Sequence, residues 1–566
     1  MEVYKNPHVK PTEEKLKPKL FSVLKGYTGQ QFAKDVTAGV IVAIIALPLS
    51  IALALASGVN PEQGLYTAIV AGFIVAFLGG SRVQIAGPTA AFATIVAGIV
   101  ATQGMDGLVI STVMAGVIMI LMGLCRFGKL IKYIPGTITA GFTFGIAVTI
   151  VIGQVKDFLG LTFKNAPIET VDKVAEIFSC IGTFNPQALF IGLISMAILI
   201  LWRGKLEKIP ASLIAVIVCS AIVKITGMNV NTIGDLYTIS SAPPKFALPA
   251  VTFARIKALV PSAFTIALLA AVESLLSCVV ADGMIGSKHR SNMELIAQGA
   301  ANIGSALFGG IPATGAIART AANVKNGGRT PVSGMVHSVV VLLILVLLMQ
   351  FAAVIPMPTI AAILFMVAYN MSGWKNIRNT IKTAPKSDIL VLLATLVLTV
   401  VFDLVVAIGV GMVMAALLFM KRMADVTEAH TWIDADDEET DPDNITLKRI
   451  PDHTKVYEIN GPMFFAASEK FGYMLDDEQT NVLVIRMRNV PAIDASGVAA
   501  LSDVVSRCKK QGVNVVFSHV NPQPMHAMEK AGLVEKVGAE NFCDHIDNAL
   551  LRAGNISLSA AVSKGA

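Results

Sequence analysis

Read for hydrophobic and polar positions alone, the chain is a succession of apolar runs, most of them long enough for a helix to cross a hydrocarbon core of about 30 Å. The runs lie near 36–56, 64–79, 84–101, 108–124, 135–154, 186–202, 209–227, 262–282, 294–309, 314–324, 331–351, 353–371, 387–404 and 405–420. They predict an α-helical membrane body of about 14 spans. The third and tenth runs are interrupted by glycine and proline, so neither is expected to be helical throughout. Gly79-Gly80 closes the second run and leads through Ser-Arg-Val-Gln-Ile-Ala to Gly87-Pro88-Thr89-Ala90-Ala91. Gly309-Gly310 closes the ninth and leads through Ile-Pro-Ala-Thr-Gly to Ala316-Ile317-Ala318-Arg319-Thr320. Two interrupted segments seven spans apart are opposite in orientation, the pattern of an inverted repeat. Close helix packing through small residues is the simpler alternative.

After Met423 the period changes. Asp434-Ala-Asp-Asp-Glu-Glu-Thr-Asp-Pro-Asp reads as an acidic spacer. Short apolar or alternating runs follow at 455–459, 482–487 and 513–517, with helical patterns near 467–477, 497–510 and 523–532. Alternation of strand and helix predicts an α/β domain with a mostly parallel sheet. The expected organisation is an N-terminal segment 1–30, a membrane domain 31–424, an acidic linker 425–443 and an α/β domain 444–558.

Charge gives the membrane body a direction, because lysine and arginine favour the cytoplasmic side of short loops. The head carries Lys15, Lys17, Lys19 and Lys25. Basic clusters then follow even-numbered spans: Arg126, Lys129 and Lys132; Arg203, Lys205 and Lys208; Lys288 and Arg290; Lys325 and Arg329; Lys375, Arg378 and Lys382; Lys421 and Arg422. The loops after the first and third spans carry no basic residue. Both termini are therefore expected in the cytoplasm of a cell whose inner (plasma) membrane holds the chain, with the first span directing insertion. Composition agrees: 54% apolar, 15% charged and a mean hydropathy of +0.67 are too apolar for a soluble enzyme. The net charge of +6 is dispersed over loops and predicts no nucleic-acid partner. Six cysteines without short paired spacing, and eight scattered histidines, predict no disulfide framework, metal site, cofactor or catalytic cluster.

Three features carry chemistry. Glu273 stands in the eighth run, Thr265-Ile-Ala-Leu-Leu-Ala-Ala-Val-Glu273-Ser-Leu-Leu-Ser277. An ionised carboxylate surrounded by hydrocarbon is costly, so it is paired, protonated or functional. Ser277, four residues on, shares its helix face and is placed to hydrogen-bond it. Such a carboxyl can take up and release a proton as its surroundings alternate between dry and wet; a structural ion pair with Arg319 is the other reading. The interrupted runs supply the second feature. Half-helices beginning near Thr89 and Ala318 expose free N–H groups and partial positive charge, which together make an anion site without a metal. Thr89 and Thr320 add hydroxyls, Arg319 a full charge, and Ala90, Ala91, Gly315 and Ala316 leave the backbone approachable. Arg319 snorkelling to the inner interface is the alternative. Third, in the tail, Asp494-Ala-Ser496-Gly497 opens a helix after a strand, where a phosphate on Ser496 would meet the helix dipole; Asp494 or Ser496 acting only as a cap is the other reading.

The segments Gly87-Pro-Thr-Ala-Ala, Glu273-Ser-Leu-Leu-Ser and Ala313-Thr-Gly-Ala-Ile-Ala-Arg-Thr-Ala-Ala-Asn-Val-Lys-Asn-Gly-Gly-Arg-Thr resemble the sulfate permease (SulP) family of anion transporters. The resemblance implies two inverted repeats of seven spans, forming a core domain (spans one to four and eight to eleven) and a gate domain, a homodimer, and an elevator-like cycle. It implies substrate contacts at Thr89, Ala90, Ala318, Arg319 and Thr320. Coupling falls to Glu273 and Ser277, with Glu273 standing where sodium-coupled bicarbonate carriers place aspartate, as in members coupled to protons. Phrases such as Ala-Ile-Ala-Arg are similar to a bacterial C4-dicarboxylate carrier of the family, which puts dicarboxylates beside sulfate and bicarbonate as candidate anions. A passive anion channel and a sodium-coupled symporter remain open. The tail resembles the STAS domain of bacterial anti-sigma-factor antagonists, which implies regulation through a cytoplasmic partner and Ser496 as a phosphorylation site.

Overall fold

A computed structural model describes residues 16–24, 26–128, 135–165, 167–202, 210–402, 404–426, 428–431, 448–464 and 480–564. Lys15, Lys25, Lys129, Lys132, Arg203, Lys205, Lys208, the acidic run 434–443 and the predicted helix near 467–477 lie outside them. The chain divides into two compact units, Met1–Met412 and Val413–Ala566.

After a single helical turn, Leu20–Val23, the first unit runs through α1 (Gly29–Ala56) and α2 (Pro61–Leu78), followed by a two-residue strand β1 (Ala86–Gly87), a 3-10 turn Ala90–Phe92 and α3 (Ala93–Leu124). Gly104, at φ 69° and ψ −174°, breaks α3 into two segments, the second half of what the sequence reads as span three and the whole of span four. Then come α4 (Gly136–Leu159), α5 (Thr170–Ser179), α6 (Pro186–Leu201), α7 (Ala211–Thr226), α8 (Phe253–Ile285) and α9 (Ser291–Leu307). A second two-residue strand, β2 (Thr314–Gly315), precedes α10 (Ile317–Lys325), α11 (Val332–Leu348), α12 (Met357–Ser372), α13 (Trp374–Thr383), α14 (Lys386–Val401) and α15 (Leu404–Val426), within which the first unit ends at Met412. With α3 counted as two, and the short α5 and α13 and the single helical turns Leu20–Val23 and Ile233–Leu236 set aside, fourteen segments match the fourteen apolar runs. Among the described residues, eight helices are by themselves long and apolar enough to cross a membrane.

Packing sorts these helices into two groups. In one, α1 packs on α11, α2 on α9 and α11, and α3 on α8 and α9. In the other, α4 packs on α12 and α14, and α12 on α6 and α7. These are the core and gate groupings of an inverted-repeat transporter. Small residues let the core helices approach closely: a Cβ added at Gly116 would lie 2.5 Å from the Gly299 carbonyl oxygen, and one at Gly39 2.6 Å from that of Ser333.

Non-helical backbone at membrane depth persists only where protein groups satisfy it. Glu294, fully buried on α9, accepts from the N–H of Gly80 at 2.8 Å and of Ser81 at 3.2 Å. Asn302, one helix face along, both accepts from the Ala313 N–H and donates to the Ala313 carbonyl at 2.9 Å. Thr67 accepts from the Ile311 N–H at 2.7 Å. At the end of the core, Asp35 on α1 accepts from the N–H groups of Arg329 (2.8 Å) and Thr330 (3.3 Å) and from the Thr330 hydroxyl (2.6 Å). Side chains thus stand in for the missing helical bonds, those of Glu294, Thr67 and Asp35 across the two repeats and that of Asn302 within the second.

Within the second unit, β3 (Glu428–Thr431), β4 (Thr454–Asn460), β5 (Val482–Asn489), β6 (Asn514–Ser518) and β7 (Phe542–Cys543) form one sheet in chain order. β3 is antiparallel to β4, and the remaining pairs are parallel. β3 comes from the stretch read as linker. Helices α16 (Ala495–Lys510), α17 (Pro522–Lys530), α18 (Leu533–Val537) and α19 (Ile546–Lys564) complete the described part of the unit. Leu483, Ile485 and Met487 of β5 face a core with Leu501 and Val505 of α16, while Val482 and Val484 face Ile546, Ala549 and Ala553 of α19. The period of two thus serves two cores, one on each face of the sheet.

Candidate functional site

β1 and β2 pair antiparallel, Ala86 opposite Gly315 and Gly87 opposite Thr314, so the interrupted spans of the two repeats cross and then leave as helices. Glycine makes the crossing feasible at two reciprocal positions. A Cβ at Gly87 would lie 2.5 Å from Arg319 Nη1, and a Cβ at Gly315 would collide with the Gln84 amide. Each repeat thus sends a polar side chain over the other's glycine. The Ala316 N–H donates to the Ile85 carbonyl at 2.8 Å.

The first half-helix starts at Ala90 with Thr89 as its extended N-cap; the second starts at Ile317, one residue before Ala318, with Ala316 as its N-cap. Their first internal bonds are Phe92 N–H to Thr89 O at 3.3 Å and Thr320 N–H to Ala316 O at 2.9 Å. The N–H groups of Ala90, Ala91, Ile317, Ala318 and Arg319 donate to no acceptor among the described residues. Ile317 and Ala318 are exposed and Thr89 and Glu273 half-buried, so this mouth is open to a ligand.

Glu273 joins the two approaches. Its Oε2 accepts from the Thr89 hydroxyl and from the Thr314 hydroxyl, each at 3.0 Å. Oε1 has no donor among the described residues. Ser277 is not a partner of Glu273: its hydroxyl meets Gln84 Oε1 at 3.0 Å and Thr320 Oγ1 at 3.4 Å. Sharing a helix face brings Cβ atoms to about 5–6 Å, too far for serine when Gln84 already lies closer. Nor is Arg319 an ion-pair partner. It is 3% exposed, which rules out snorkelling, and its Nη2 donates to the Pro88 carbonyl while Nη1 is buried without a partner. Arg319 backs the crossing rather than lining its mouth. Thr320 is likewise buried, accepting from the Ile85 N–H at 3.0 Å.

The structure therefore brings Thr89, Ala90, Ala318 and Glu273 to one mouth and sets Arg319, Thr320 and Ser277 behind it. Sequence reasoning missed three members. Thr314 is the counterpart of Thr89, and the signal was present in the matched Pro-Thr and Pro-Ala-Thr phrases. Ser274, whose hydroxyl accepts from the Gly315 N–H at 3.0 Å, fastens β2 to α8, and Gln84, whose amide donates to the Ser274 carbonyl at 3.2 Å, fastens the approach to β1 there. No such signal marks them, because their partners lie on other spans: Gly315 two spans from Ser274, and Ser274 five spans from Gln84.

In the second unit Asp494 is the helix cap, accepting from the Gly497 N–H at 2.8 Å. A Cβ at Gly497 would meet the Met463 carbonyl at 2.7 Å, so glycine lets the helix start against β4's end. Ser496 is half-buried in the first turn. Among the described residues no group of three or more histidine, cysteine or acidic side chains is placed to hold a metal.

Comparison with known proteins places these features. The model of the sulfate permease family matches residues 32–395, and that of the STAS domain residues 444–549. The chain is 40% identical over 528 residues to "Putative sulfate transporter YvdB" of Bacillus subtilis, covering 92% of this chain and 98% of that protein. It is 29% identical to the bicarbonate transporter BicA of a Picosynechococcus species over 92% of this chain and 94% of that one. Among solved structures, SLC26A9 shares the fold over 97% of this chain and 94% of that one, with a TM-score of 0.85 at 20% identity. The transmembrane domain of a cyanobacterial BicA aligns over 67% of this chain and 98% of its own, with a TM-score of 0.62 at 29% identity. The chain belongs to the sulfate permease family and is a multi-pass membrane transporter of anions, with a C-terminal STAS domain.

Proposed function

We propose that the protein is a secondary active symporter that moves one small anion together with a proton, by an elevator-like motion of the core against the gate. The observation that carries this reading is Glu273 Oε2 accepting both Thr89 and Thr314 at 3.0 Å, which sets a titratable carboxyl at the mouth of the paired half-helices. Partial positive charge from two helix ends and five undonated N–H groups favours an anion there. An ionised Glu273 opposes it: two negative charges on the order of 6 Å apart, at an effective dielectric near 20, repel by about 3 kcal/mol. Occupancy by the anion and protonation of Glu273 therefore favour each other. Thr89 and Thr314, released from an ionised acceptor, can turn their hydroxyls toward the ligand. The loaded core carries its site across with little net charge, and on the far side water reionises Glu273 and expels the anion.

The candidate anions are sulfate, which the Bacillus relative's name carries, bicarbonate, which the BicA name carries, and C4-dicarboxylates, suggested by the Ala-Ile-Ala-Arg phrase. Residues 31–424 are assigned to transport and 444–558 to the STAS domain, with both termini in the cytoplasm of a plasma-membrane homodimer. Ser496, beside the Asp494 cap, is assigned as the position where phosphate would alter a cytoplasmic partner's grip. A thermal-shift series on purified protein with sulfate, bicarbonate and succinate identifies the anion. Stabilisation by one of them that grows as pH falls supports the symport; stabilisation by none rejects the anion site.

A further inference from the structure

α13 (Trp374–Thr383) has ten residues, so at 1.5 Å per residue it is about 15 Å long and cannot span the bilayer. Gly373, left-handed at φ 57° and ψ 29°, ends α12 and starts it. At 3.6 residues per turn Trp374, Ile377 and Ile381 share one stripe, and Lys375, Arg378 and Lys382 share another about a quarter turn away. Asn376, Asn379 and Thr383 fill the remaining face. Ile377 is buried, whereas Trp374 and Ile381 keep 52% and 44% exposure; the Trp374 ring centroid lies 5.9 Å from that of Phe144 on α4. Lys375, Arg378 and Lys382 are exposed, and none has a hydrogen-bonding or ionic partner among the described residues.

The other repeat contains a natural control. α5 (Thr170–Ser179) follows span five as α13 follows span twelve, and it too exposes apolar residues, Val171 at 52% and Phe178 at 72%. Inversion of the repeats puts the two helices at opposite membrane surfaces. α5, however, carries Asp172, Lys173 and Glu176, with Glu169 as its N-cap. An amphipathic helix at this place in the fold therefore does not need three cations, and at α13 they serve something other than packing.

We propose that α13 is a binding site for anionic phospholipid headgroups. Trp374 and Ile381 enter the boundary between headgroups and acyl chains, and the basic stripe beside them holds the lipid phosphates. Each cation near an anionic surface enriches it roughly fivefold, so three on one stripe select anionic over zwitterionic lipid. This inference stands whichever anion the transport site takes.

The test uses the full chain with Trp202→Phe and Trp432→Phe, which leaves Trp374 as its one tryptophan. It is reconstituted in phosphatidylcholine vesicles containing a minority of phosphatidylglycerol, with bromine on the acyl chains of one lipid at a time to quench adjacent tryptophan. Quenching by brominated phosphatidylglycerol is expected to exceed that lipid's bulk share several-fold. The excess should vanish at 1 M salt, where the Debye length is about 3 Å, and in Lys375→Gln/Arg378→Gln/Lys382→Gln. It should survive Lys375→Arg/Arg378→Lys/Lys382→Arg, and exchange of chloride for inorganic phosphate at equal ionic strength. Quenching at the bulk share in the parent chain overturns the proposal, and so does an excess that persists in the triple Gln variant or is displaced by phosphate.

Discussion

Thr89 and Ala318 contribute to the mouth in separable ways. Ala318 is exposed at the second position of its half-helix, so Ala318→Phe should fill the space above the free N–H groups and abolish anion binding with no change in charge. Thr89→Val removes a hydroxyl at constant shape, for about 1–3 kcal/mol, or up to roughly a hundredfold in dissociation constant. Thr314→Val should match it, since the two hydroxyls meet one carboxylate oxygen at equal distance. Arg319→Ala should behave differently: it leaves the buried Pro88 carbonyl without its donor, so melting temperature falls along with affinity. Binding isotherms for the identified anion, with melting curves on the same preparations, check the set. Wild-type affinity in Ala318→Phe would put the site elsewhere in the bundle. Glu273, Thr89 and the half-helix starts were legible because a charge in hydrocarbon and a glycine-proline break in an apolar run are local signals. The partners of Glu273 and the burial of Arg319 were not, since they depend on groups two, five and seven spans away.

The crossing of β1 and β2 is the element on which the site depends. Gly87→Ala adds a Cβ 2.5 Å from Arg319 Nη1, and overpacking of this kind costs about 1–3 kcal/mol. Gly98→Ala, whose added Cβ meets nothing within 4 Å, is the control and should melt like the parent. Equal melting of the two variants would mean that the crossing tolerates displacement of the guanidinium. A two-residue strand has no period to read, so sequence shows that spans three and ten are broken but not that the breaks pair. In the STAS domain the legible part was again periodic: β4, β5 and β6 fall on the apolar runs at 455–459, 482–487 and 513–517, whereas β3 is short and polar and β7 only two residues long. Burial in that domain's core pushes the Cys508 thiol up to about 11. A thiol whose folded pKa exceeds its unfolded value of about 8.5 stabilises the fold below that value, and the contribution is lost as pH rises toward 11. Maleimide should therefore spare Cys508 at pH 8 until urea unfolds the domain; mass spectrometry of tryptic peptides reports it.

At the scale of the whole molecule, the proposed elevator cycle exposes the site of the paired half-helices to the two sides of the membrane in turn. The basic residues that follow even-numbered spans predict a cytoplasmic STAS domain, so protease added to intact cells should leave residues 425–566 whole and cleave them only after lysis. Digestion from outside would reverse the topology. The central claim, that a proton on Glu273 travels with the anion, is tested by uptake into proteoliposomes with and without an inward proton gradient. Wild-type protein is predicted to accumulate the anion faster under the gradient. Glu273→Gln, which holds the neutral form permanently, is predicted to bind the anion with at least wild-type affinity and to show no acceleration. Gradient-driven accumulation by Glu273→Gln at the wild-type rate would contradict the account.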